Sequence, residues 1–124
     1  MRQSRIEKYA DAFEITASLG DLISSYSHGM KQKLAIISAL VHEPKLWILD
    51  EPFLGLDPKG IQTVKDCIID YSKNKKHMVI FSSHNLDTVC ELCDKVCVIE
   101  KGEVLSIVDM SEEDSENKLK KLFI

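Results

Sequence analysis

Apolar positions along the chain change period from helical to strand-like and back. Ile6, Tyr9, Ala10 and Phe13 recur at helical spacing, which predicts an amphipathic helix over roughly Ser4 to Glu14, followed by an irregular stretch through Gly20. Ser27 is a natural N-cap for a second helix, whose stripe runs through Met30, Leu34, Ile37 and Val41 until Pro44 stops it. Leu46-Trp47-Ile48-Leu49 is a short, fully apolar run, as a strand buried on both faces would be, and Asp50 and Glu51 follow directly. Asp57-Pro58 reads as N-cap and first helical residue. Ile61, Val64, Ile68 and Tyr71 continue that helix toward Lys73 to Lys76, where positive charge suits the helix dipole. Met78 to Phe81 predicts a second buried strand leading through Ser82-Ser83 to His84. Leu86, Val89, Cys90 and Cys93 mark a short helix, and Val96 to Glu100 and Val104 to Val108 flank Lys101-Gly102-Glu103 as a hairpin that ends the sheet. The tail from Ser111 predicts a capped terminal helix.

Strand, helix, strand, helix in this order predicts an α/β fold with a parallel sheet. Composition agrees with an ordinary globular domain: 124 residues, 44% hydrophobic, with 5 Gly and 3 Pro. A net charge of -4 with scattered lysines argues against nucleic acid as a partner, because binding its backbone needs clustered cations. No apolar stretch approaches the roughly 20 residues that span a bilayer. No apolar h-region follows Met1, so the expected compartment is the cytosol, with reduced cysteines. Cys90-x-x-Cys93 has the spacing of a metal pair with Cys97 close behind, but no fourth ligand is near. The helical stripe and the alternating run Val96 to Ile99 account for these thiols as core residues.

In open α/β sheets ligands gather beyond the carboxyl ends of the strands, where Asp50, Glu51 and His84 are all expected to project. An acid there holds Mg2+ through water, a second acid accepts a proton from an attacking water, and an imidazole on the next strand end hydrogen-bonds a terminal phosphate. Taken singly, Asp-Glu-Pro is also a plausible solvated turn, and His84 a cap for the following helix. Ser27 and Gly29 place a hydroxyl and a bare backbone at a helix N-terminus, which attracts anions.

Together these segments resemble the second half of an ATP-binding cassette (ABC) ATPase domain. Tyr26-Ser27-His28-Gly29-Met30 resembles the family's Leu-Ser-Gly-Gly-Gln signature, Leu46 to Asp50 with Glu51 its Walker B strand and catalytic glutamate, Gly55-Leu56-Asp57 its D-loop, and His84 its switch histidine. The resemblance implies the parallel-sheet core of a P-loop NTPase, incomplete: residues 1–42 the end of the helical subdomain with the signature helix, 43–110 the core, with a C-terminal β-hairpin, and 111–124 a terminal helix. It implies that Asp50 coordinates Mg2+ through water, that Glu51 polarises the hydrolytic water, and that His84 contacts the γ-phosphate. Ser27 and Gly29 would bind the ATP of an opposing subunit, with Asp57 at that dimer interface. Two positions depart from the signature: His28 stands for glycine and Met30 for glutamine, which removes side-chain donation by a glutamine at position 30.

Implied partners are a second cassette, a transmembrane permease and an N-terminal half, placing the protein on the cytoplasmic face of a membrane; the variant signature leans toward bacterial exporters. No Gly-x-x-x-x-Gly-Lys-Ser/Thr occurs in these residues, so this chain alone is not expected to hydrolyse ATP. The economical expectation is a fragment whose Met1 is an internal methionine. Its missing phosphate-loop strand would lie between the 78–81 and 96–100 strands, leaving apolar edges that make the lone chain poorly soluble or molten. A degenerate, non-catalytic cassette and a soluble non-transporter cassette are the alternative readings.

Overall fold

Helix α1 (Arg2–Ala12) is the first element of a computed structural model that describes residues 2–123. Met1 and Ile124, the ends of the expected fragment and of its terminal helix, lie outside the described residues. The helix stops two residues before the expected Glu14, because Glu14 takes a left-handed φ of 59°. Phe13 therefore packs from the turn rather than from the helix, and Ala10, Phe13 and Ile15 are all buried. The stretch beyond is not wholly irregular: it holds 3₁₀ turns at Thr16–Ser18 and Ile23–Ser25, and Tyr26 Oη donates to Ser18 O at 2.6 Å across it.

Helix α2 (His28–Leu40) begins as expected, with Ser27 Oγ accepting the Met30 N–H at 3.2 Å. It ends before Pro44: Val41 is its C-cap, and Glu43 turns the chain with φ 47°. Its buried residues are Ile36, Ile37 and Leu40, so the stripe lies nearer the C-terminal end than Met30 and Leu34 suggest.

Strand β1 (Leu46–Leu49) pairs in parallel with β2 (Met78–Phe81) across helix α3 (Pro58–Ser72), in the register Leu46↔Met78 to Leu49↔Phe81. Both α2 and α3 pack against this pair. Trp47 and Leu49 are buried, and the Trp47 ring meets Tyr71 of α3 edge-on at 5.3 Å. The opposite face corrects the expectation of strands buried on both sides. Leu46, Ile48, Met78 and Ile80 are 46%, 67%, 61% and 51% exposed. The helices of this unit cover only the Trp47 face, and the period-two geometry of a strand sends every second side chain the other way.

Contacts divide the chain into two units, one ending at Ser82 and the other beginning at Ser83. The second holds helix α4 (Leu86–Leu92), strands β3 (Lys95–Glu100) and β4 (Glu103–Asp109), and helix α5 (Ser115–Leu122). The hairpin turns at Lys101 and Gly102, with φ of 50° and 80°, as a two-residue loop joining twisted strands requires. It forms its own two-stranded sheet rather than closing the parallel one, so β2 and β3 are not paired with each other. Val89, Val96, Val98, Val108 and Leu119 make the core, with Leu86, Cys90 and Cys93 against it, as the helical stripe predicts. Cys97 instead faces outward with Ile99 and Ile107. Helix α5 starts at Ser115, four residues later than expected at Ser111 and without a side-chain cap, since Asp114 is left-handed with φ 63°.

Burial pushes the thiols of Cys67 and Cys93 up from 9.0 to about 11, with neighbouring aspartates adding to the shift. Their contribution to stability is complete below pH 9, where the unfolded thiols are still protonated, and is lost as pH rises toward 11. In the chain complemented by an N-terminal half, alkylation mapped by mass spectrometry at pH 8 should label exposed Cys97 first, with Cys67 and Cys93 reacting only as pH approaches 11. Equal rates at pH 8 would contradict this packing.

Candidate functional site

Asp50 and Glu51 leave β1 where Ser82 leaves β2. The ladder continues one step past the strands, since the Ser82 N–H donates to Leu49 O at 3.0 Å, and this fixes the Ser82 side chain beside the acids. Ser82 Oγ donates to Asp50 Oδ1 at 2.7 Å and accepts the Glu51 N–H at 2.9 Å. Glu51 is itself left-handed, with φ 47°, a conformation that costs a residue with a Cβ roughly 1–3 kcal/mol. Its carbonyl is held as well: Gln32 Nε2, on α2, donates to Glu51 O at 3.2 Å, and the Leu54 N–H donates to it at 3.2 Å. Pro52 is buried, and Phe53 meets Phe81 edge-on at 5.8 Å, which anchors the loop after the acids.

The 27–29 turn sits against the 55–57 turn. A Cβ on Gly29 would lie 3.1 Å from Gly55 O, so only a bare backbone approaches this closely without displacing it. Gly55 has φ 78°, and a Cβ there would come within 2.4 Å of the His28 ring, so both conformation and space require glycine. The His28 ring, where the signature has glycine, thus packs onto the turn resembling the D-loop. Asp57 caps α3, its Oδ1 accepting the Gly60 N–H at 2.8 Å. Asp57→Ala should cost about 1 kcal/mol of helix stability. In the chain complemented by an N-terminal half, amide exchange at Gly60 should accelerate in Asp57→Ala while Asp57→Asn stays close to the parent; no change at Gly60 would remove the cap.

His84 lies in the second unit and does not cap α4. Asn85 does so, its Oδ1 accepting the Thr88 N–H at 3.1 Å, while Ser83 Oγ accepts the Asn85 N–H at 3.0 Å. The structure therefore joins Asp50 to Glu51 and the 27–29 turn to the 55–57 turn within the first unit, and places His84 in the second. Two residues of the site escaped the sequence reading. Ser82 reads there as a link between strand and histidine, and Gln32 is not singled out. No local signal marks either residue, because their bonds to Glu51 span 31 and 19 residues.

Residues 1–54 match the family model described as ABC transporter. Over 110 residues the chain is 38% identical to YdbJ, an uncharacterised ABC transporter ATP-binding protein of Bacillus subtilis, covering 89% of this chain and 36% of that protein. The chain belongs to the ABC transporter family of ATP-binding proteins. This ABC chain is also 34% identical over 116 residues to the bacitracin transport ATP-binding protein BcrA of Enterococcus faecalis, covering 94% of itself and 38% of that protein. Among solved structures, the ATP-binding subunit of an ABC transporter superposes with a TM-score of 0.87 at 29% identity, covering 98% of this chain and 52% of that subunit. The ABC chain thus spans little more than a third of those curated relatives and about half of that subunit. The mixed α/β architecture with its parallel strand pair is that of part of an ABC ATPase domain. No helix among the described residues is long and apolar enough to cross a membrane.

Proposed function

We propose that this chain is the portion of an ABC transporter's ATP-binding subunit that carries the catalytic carboxylate and the signature face, and that the whole subunit couples ATP hydrolysis to transport. The observation that carries this reading is the clamp on Asp50 and Glu51: two adjacent carboxylates, one held by a hydroxyl and the other on a backbone fixed at both ends. Hard oxygen donors at an exposed strand end suit Mg2+, which keeps most of its waters and takes further ligands from phosphate. Asp50 would hold that cation through water. ATP with Mg2+, when bound, supplies the phosphoryl group and neutralises charge developing on its oxygens. Glu51 accepts the proton of the attacking water, and His84 donates a hydrogen bond to the terminal phosphate. Ser27 uses a lone pair on the Met30 amide and keeps its proton for an anion, while Gly29 leaves the helix N-terminus open to phosphate. Those donors serve the nucleotide of a second cassette, with Asp57 at the interface between the two.

The division into a helical-subdomain end over 1–42, a core over 43–110 and a terminal helix over 111–124 belongs to the same proposal. So does a cytoplasmic position on the membrane through a permease, with no role for nucleic acid. Similarity to a fluoroquinolones export ATP-binding protein of Mycobacterium tuberculosis, 32% identical over 109 residues, supports an exporter. The uncovered face of β1 and β2 supports an N-terminal half as partner, since parallel sheets are stable with both faces covered. Mixing the chain with an N-terminal half of YdbJ, taken from the part of that protein that the match leaves uncovered, tests the reading. The mixture should turn over ATP in the presence of Mg2+, and the chain alone should not. Nucleotide binding without turnover would favour the degenerate cassette, and turnover by the chain alone would contradict the assignment.

A further inference from the structure

We propose that Ser82 is a positioning residue for Glu51, an inference that rests on the catalytic reading of that carboxylate. The hydrogen-bond chain has a fixed direction. The Glu51 N–H points at Ser82 Oγ, at 2.9 Å, so the hydroxyl proton turns away from that amide and toward Asp50 Oδ1, at 2.7 Å. One hydroxyl therefore sets two things together: which oxygen of Asp50 is engaged, and the left-handed backbone of Glu51, from which its side chain departs. Gln32 fixes the other end of the same peptide pair through the Glu51 carbonyl, at 3.2 Å. Without the Ser82 hydroxyl, the Glu51 amide loses its acceptor and the residue is released to relax toward negative φ, which swings the carboxylate away from its direction. Ser82 touches neither water nor phosphate in this account and acts only through Glu51 and Asp50.

The test uses the full chain, labelled with 15N and 13C and bound to an unlabelled N-terminal half of YdbJ. The parent should show the strong intraresidue amide-to-Hα NOE that a positive φ gives at Glu51, together with a protected Glu51 amide. Ser82→Ala should lose both at Glu51 while the amides of α3 and β1 keep their shifts, and Ser82→Thr, which retains the hydroxyl, should restore them. ATP turnover of the same complex should fall about 10–100-fold in kcat for Ser82→Ala, the scale of an ångström of misplacement, with KM for ATP nearly unchanged and recovery in Ser82→Thr. A Ser82→Ala protein that keeps the Glu51 NOE and turns over at the parent rate overturns the proposal. If the parent complex shows the NOE but no turnover, and Ser82→Ala abolishes the NOE, the positioning stands and the hydrolytic reading falls.

Discussion

Glu51→Gln, in the chain complemented by an N-terminal half, is expected to lower Mg2+-dependent ATP turnover by about 10²–10⁴-fold, the range that a positioned general base supplies. Nucleotide binding should survive. The substitution is informative because the clamps on residue 51 hold main-chain atoms: its N–H goes to Ser82 Oγ and its carbonyl receives Gln32 and Leu54. Glutamine has nearly the same volume and leaves those bonds in place, so φ and the direction of the side chain are kept while the basic oxygen is lost. Steady-state turnover and equilibrium binding of a fluorescent ATP analogue separate the two effects. Turnover equal to the parent would remove Glu51 from the chemistry, and loss of binding would make its role structural.

The second large effect concerns the chain by itself. Leu46, Ile48, Met78 and Ile80 form two cross-strand pairs on one uncovered face of the parallel sheet, and Ile99, Val104 and Ile107 are exposed on the hairpin. Full burial of such a side chain is worth about 1.5–3 kcal/mol. Seven of them are 46–69% exposed, so about half of that energy goes unrealised at each, a large amount against the roughly 5–15 kcal/mol that stabilises a whole domain. The isolated chain should therefore bind a hydrophobic dye, aggregate at micromolar concentration and lack a cooperative thermal transition, whereas the complemented chain should melt sharply. Replacing Ile48 and Ile80 together by lysine should raise the solubility of the lone chain and abolish complementation. A sharp melt and a dispersed NMR spectrum from the isolated parent would contradict this account.

Much of the backbone could be read in the sequence because the signals are local. Ser27, Asp57 and the Lys101-Gly102 turn place helix starts and a hairpin through bonds spanning a few residues, and the structure forms all three. The two four-residue apolar runs likewise became the two paired strands. Burial was less accessible. A continuous apolar run predicts cover on both faces, but the cover is tertiary and here reaches only the Trp47 side. Helix ends were misjudged where Glu14, Glu43 and Asp114 take left-handed conformations, which acidic residues do not announce. At the site, the identity of Asp50, Glu51 and the 27–29 turn followed from pattern and resemblance. Ser82 and Gln32 did not, because their bonds to Glu51 span 31 and 19 residues. Their role exists only once β1, β2 and α2 have come together.

On the proposed function, Asp50, Glu51 and His84 serve one bound nucleotide. Paramagnetic Mn2+ carried by a non-hydrolysable ATP analogue tests it directly in the labelled, complemented chain. The Glu51 amide, the Asp50 amide and the His84 imidazole should broaden together, while Leu119 in the second core stays sharp. A His84 resonance that remains sharp while the Glu51 signal disappears would contradict a shared site.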